Sequence, residues 1–90
     1  MSLVRIPPVL RTQTGGAKQV AVDGTTVHEV LLALVGTYPG LSAQVLTPAG
    51  ELNSFVNLFL NDTDVRHLDG LETPVSDRDS LVLLPAMAGG

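Results

Sequence analysis

Three kinds of residue in this chain could take part in chemistry: two histidines, a run of acids and amides, and a glycine pair at the end. His28 and His67 have no cysteine and no close second histidine beside them, so neither matches the spacing of a zinc site. His28, next to a helix start, reads as a solvated side chain. Asn61-Asp62-Thr63-Asp64 has some of the look of a calcium loop. Counted from Asp62, however, the glycine such a loop needs would fall on His67 and its glutamate on Thr73, so the run reads as a turn. Gly15-Gly16 has no helix directly after it and reads as a hairpin turn rather than a phosphate cradle.

The terminal Gly89-Gly90 is a different signal. Glycine makes up ~7% of average composition, so a chance terminal pair has a probability of about 0.5%. Without a Cβ, an extended Gly-Gly segment can thread a narrow channel and bring a carboxylate against a nucleotide phosphate, where a side chain would collide. A carboxylate becomes a useful electrophile only once it carries a good leaving group, as in an acyl-adenylate. The chain has no G-x-x-x-x-G-K-[ST] loop of its own, so no cofactor is expected on it and the ATP for that step must be held by a partner. It has no cysteine either, which excludes disulfides, thiolate metal sites and cysteine nucleophiles.

Composition narrows the partners. A chain of 90 residues is the size of one domain and buries roughly two-thirds of its unfolded surface. Tyr38, Phe55 and Phe59 are its only aromatics, too few for base-stacking platforms, and the net charge of −4 opposes nucleic acid and anionic membrane alike. A basic partner surface is the better match. Residues 1–8 are too short and too interrupted by Arg5, Pro7 and Pro8 for a signal peptide, and no apolar run approaches membrane-spanning length. A cytoplasmic protein is expected.

The elements that must position the tail follow from periodicity. Val4 and Ile6 alternate with Arg5 and lead to Val9-Leu10; Thr12 to Gly16 supplies turn chemistry, and Gln19 to Val22 alternates again, an opening β-hairpin. Thr26-Val27-His28-Glu29 is a capping box, followed by Val27, Val30, Leu31, Leu34 and Val35 at helical spacing and ended by Gly36 to Gly40 with Pro39. Leu41, Val45 and Leu46 allow a short helical turn before the loop at Pro48-Ala49-Gly50. Residues 55–60 form a strand, 61–64 a tight turn, Val65-Arg66 a short return strand, and 68–74 an irregular stretch. The last strand is Leu81 to Leu84, closed by Pro85.

The order β-β-α-β-β-β fits an α+β, β-grasp (ubiquitin-like) fold, a mixed sheet on one main helix. The expected division is a domain over residues 1–86 and a flexible tail over 87–90. Period-two alternation turns Phe59, Val82 and Leu84 outward, opposite the helix, and Val56, Leu58, Leu60, Leu81 and Leu83 inward. The outward set, continued by Ala86, Met87 and Ala88 of the tail, is the candidate partner-docking surface.

The segments Ile6-Pro7-Pro8-Val9-Leu10-Arg11, Thr14-Gly15-Gly16, Phe55-Val56-Asn57, 61–66, Gly70-Leu71 and 84–90 together resemble the ThiS/MoaD family of sulfur carriers, in particular its CysO type of cysteine biosynthesis. The resemblance spans essentially the whole chain; only the tail is functionally specific. It implies that an E1-like enzyme of the ThiF/MoeB type adenylates Gly90, next to Gly89, and that a sulfur donor then makes the thiocarboxylate. It also implies a sulfur-accepting enzyme, such as a pyridoxal-phosphate-dependent cysteine synthase, and a metal-dependent protease as partners. The chain would be a cosubstrate, not a catalyst. Arg78 stands where such carriers often have glycine, the loop 47–52 is of a variable kind, and Met87 is larger than the usual residue. Molybdopterin, thiazole or thiosugar synthesis, a ubiquitin-like protein modifier acting through the same Gly90, and a binding module with an inert tail are the rival readings.

Overall fold

A computed structural model describes residues 1–85; the tail expectations on Ala86, Met87, Ala88, Gly89 and Gly90 lie outside the described residues. The strands are β1 (Ser2–Arg5), β2 (Gln19–Val22), β3 (Val56–Leu60), β4 (Thr63–Asp64) and β5 (Ser80–Pro85). The α-helices are α1 (Val27–Thr37) and the single turn α2 (Ser42–Val45). The sheet order is β2-β1-β5-β3-β4, with β1 and β5 parallel and the other neighbours antiparallel. This is the mixed β-grasp sheet on one main helix that the sequence pattern implies.

The core lies between sheet and helix. Val27, Val30, Leu31 and Leu34, the apolar stripe of α1, are fully buried against Val4, Leu58, Leu81 and Leu83 of the sheet, with Leu41 and Val45 closing one end. Helix α1 starts where the sequence places it, with the Thr26 hydroxyl accepting from the Glu29 amide at 3.2 Å. The return bond of the box is shifted by one residue: Glu29 Oε1 accepts from the amide and hydroxyl of Thr25, each at 2.8 Å, rather than from the Thr26 amide. The 68–74 stretch is irregular apart from one 3-10 turn at Gly70–Glu72, and it straps the helix start through Val27 N donating to Thr73 O at 2.9 Å.

Three expectations are corrected in detail. The apolar Val9-Leu10 does not extend the first strand: Pro7 and Pro8 carry the chain into a 3-10 helix, Pro8–Thr14, that folds Leu10 into the core. The turn after β3 is tighter than residues 61–64, because Asn61 and Asp62 both take positive φ (48° and 77°), the conformation of a two-residue hairpin turn. The return strand therefore falls on Thr63–Asp64, and Val65–His67 forms a 3-10 turn instead. Pro85 belongs to β5 rather than closing it, as the register partner of Val56.

Candidate functional site

β5 lies in the middle of the sheet, so Pro85, the last described residue, belongs to a central strand and not to an edge strand. Its pairing with β1 ends at Arg5 opposite Val82, whereas its pairing with β3 runs on to Pro85. β1 departs there because Ile6-Pro7-Pro8 turns away, and the space it vacates beside Leu84 and Pro85 is a cleft of about 370 Å³. A proline, with no N–H to donate, is tolerated at a strand end with one open side.

The register assembles the outward face. One row across all the strands reads Gln19, Arg5, Val82, Phe59, Asp64. Phe59 and Val82 are thus direct neighbours, both half-buried, and Leu84 stands beside Asn57 at 42% exposure. The structure therefore places on one face the three candidate docking residues that it describes, Phe59, Val82 and Leu84. It also adds one that the sequence reading missed. Phe55, just before β3, is 69% exposed, the most open of the large apolar side chains among the described residues, and it precedes the residue paired with Pro85. Its parity with Asn57 and Phe59 was the available signal.

Several polar groups elsewhere in the fold serve structure. Asp79 Oδ2 accepts from the Ser76 amide and its Oδ1 from Asn61 Nδ2, both at 2.8 Å, and these bonds hold its carboxyl below the usual aspartate range. Glu29 is likewise held below the usual glutamate range by its two bonds from Thr25, backbone first. His28 is half-buried on α1 and His67 exposed in a 3-10 turn. Among the described residues no three His, Cys, Asp or Glu side chains form a group that could hold a metal ion, and no helix is long and apolar enough to cross a membrane. What the geometry offers is a firm strand root for the tail and a partly apolar face around it.

Sheet order, main helix and the core between them define a ubiquitin-like β-grasp protein. The chain belongs to the ThiS family, whose model matches residues 4–90. It is 45% identical over 89 residues to the sulfur carrier protein CysO of Mycobacterium tuberculosis, covering 97% of this chain and 96% of that protein. It superposes on a chain in the crystal structure of the Amycolatopsis orientalis BexX/CysO complex with a TM-score of 0.91 at 42% identity, covering 100% of both. Small archaeal modifier protein 3 of Haloferax volcanii is 38% identical over 68 residues, 76% of this chain and 73% of that one.

Proposed function

We propose that this protein is a sulfur carrier that works through the carboxylate of Gly90. The observation that carries the reading is the full-length similarity to CysO, 45% over 97% of the chain, within a family match that runs to residue 90. A carboxylate oxygen of Gly90 attacks the α-phosphorus of ATP on an E1-like partner, and pyrophosphate leaves. A sulfide-level donor then attacks the carbonyl carbon of the adenylate, AMP leaves, and a thiocarboxylate remains. A sulfur-accepting enzyme of the cysteine synthase type takes the sulfur, and a metal-dependent protease completes release. In this role the chain is a cosubstrate and the ATP belongs to the partner. The relative seen in a BexX/CysO complex supports partner docking in general.

Intact-mass spectrometry after incubation with the organism's E1-like enzyme, ATP and sulfide should show one oxygen replaced by sulfur. An unchanged mass, with an enzyme proven active on another carrier, would sink the reading. Deleting Gly89-Gly90 should abolish adenylation and leave the melting temperature nearly unchanged, since the buried core of the described residues falls within residues 4–83. The modifier reading has support from archaeal modifier relatives such as small archaeal modifier protein 3, and isopeptide adducts on lysines of other proteins would establish it.

A further inference from the structure

The net charge of −4 conceals a local reversal at the root of the tail. Of the chain's 5 basic residues, Arg5, Arg11 and Lys18 all line the cleft beside Leu84 and Pro85, and among the described residues no carboxylate lines it. Local structure explains the gathering. Antiparallel pairing sets Arg5 opposite Gln19, and Ile6 N donates to Lys18 O at 2.9 Å, so Lys18 lies next to Arg5 across the hairpin. The two prolines then turn the chain into its 3-10 helix, which brings Arg11 back until its Nε donates to Ile6 O at 3.1 Å. Arg5 and Lys18 are exposed and make no ion pair among the described residues. Asp62 shares a separate hollow with Arg5. By contrast, Arg66 is tied to Asn57 and two backbone carbonyls, and Arg78 stands in the turn before the opposite end of β5.

The cleft wall is apolar between these cations: Pro7, Val9, Val82 and Leu84 contribute, and Val9 is 63% exposed. Three cations with no ion pair among the described residues, set around an apolar slot on a protein that is acidic elsewhere, match one kind of occupant by charge complementarity. That occupant is a protein segment with carboxylates flanking apolar side chains. Position selects the partner. Five residues of chain extend at most about 18 Å, so whatever engages Gly90 must also meet the surface near Pro85. We infer that the E1-like enzyme that adenylates Gly90 docks an acidic, apolar-centred segment in this cleft, held by Arg5, Arg11 and Lys18. The inference rests on the sulfur-carrier reading and adds to it the chemistry of the partner surface, which is the reverse of what net charge alone implies.

The test compares the parent chain with Arg5→Glu/Lys18→Glu, Arg5→Lys/Lys18→Arg and Arg78→Glu, all checked by thermal melting. Each is titrated calorimetrically into the organism's E1-like enzyme without nucleotide and then assayed by ATP–pyrophosphate exchange. The double reversal should weaken binding at least tenfold, raise the KM for the carrier similarly, and flatten the dependence on salt. The charge-conserving pair should bind within about threefold of the parent, as should Arg78→Glu. Unchanged affinity of the double reversal overturns the inference while the parent's exchange activity leaves the sulfur-carrier reading standing. So does a loss as large in Arg78→Glu, which would make net charge the cause. A loss seen only with ATP present would assign the cations to nucleotide phosphate and also overturn it. No exchange by the parent overturns the sulfur-carrier reading and the inference together.

Discussion

Arg66 Nη1 donates to Asn57 Oδ1 at 2.9 Å, joining the 3-10 turn after the last hairpin to the strand that borders the tail root. Its Nη2 reaches Val56 O at 2.9 Å and Asn53 O at 3.1 Å, so one guanidinium ties three acceptors around the start of β3. Val56 and Asn57 are in turn the register partners of Pro85 and Leu84. Arg66→Ala should cost about 1–2 kcal/mol in urea denaturation, the scale of hydrogen bonds from a charged group at a partly open site. Arg66→Lys should recover little, since an ammonium cannot span the three acceptors as a planar fork does. Full stability of the alanine variant would show that the ties only decorate the surface.

This contact also shows what the sequence could and could not convey. Asn57 and Arg66 sit in two of the segments that carry the family resemblance, yet nothing in their spacing says that they meet. The strands around them were legible because alternation over 56–60 and 81–84 is clean, and α1 because its cap and apolar stripe agree. β4 was displaced because two positive-φ residues shorten a turn whose composition fits several lengths. Face was readable for Phe59 and Phe55 alike, but depth was not: neighbours across the sheet half-cover Phe59 and leave Phe55 open. The cationic cleft was hidden because Arg5, Arg11 and Lys18 meet only through hairpin register and the proline turn.

Two glycines should respond unequally to alanine. A Cβ on Gly24 would stand 2.7 Å from Val30 N and 2.8 Å from Val30 Cγ2, where the chain entering α1 crosses over the helix and cannot give way. Gly24→Ala should therefore destabilise by about 1–3 kcal/mol, the usual range for overpacking. On Gly40 the Cβ would collide with the far end of Gln13, a side chain free to swing aside. Gly40→Ala should lower the melting temperature by clearly less, and equal losses would contradict this account.

Acid should loosen the two helix-and-turn ties together. Glu29 and Asp79 are both held below their ordinary values, about 4.3 and 3.9 when unfolded. Their contributions are thus fully present above those values and fade as pH falls through the lowered folded ones. Stability should be flat down to about pH 5 and decline below about pH 4. Glu29→Gln and Asp79→Asn should each make that acid limb shallower in melts taken across pH. Both carboxylates are solvent-exposed, so the change should be modest, and an unaltered limb in both variants would assign the acid sensitivity to other groups.

Leu58 and Phe59 are adjacent in β3 but face opposite ways, which allows core and surface to be separated at one place in the sheet. Leu58 is fully buried beneath α1, so Leu58→Ala should cost about 2–5 kcal/mol through the cavity it leaves, with any loss of binding a secondary result. Phe59 lies beside Val82 on the outward face, half-buried, and a truncated aromatic anchor at an interface typically costs 2 kcal/mol or more. Phe59→Ala should then weaken binding to the activating enzyme by roughly thirtyfold or more while destabilising the fold much less than Leu58→Ala does. Phe55→Ala provides the gauge of position, since its side chain is the more exposed of the two and stands nearer the tail root. Calorimetric titration and melts on the three variants decide the matter. The docking role of the Phe59 face fails if Phe59→Ala binds like the parent or if its loss of binding only tracks unfolding.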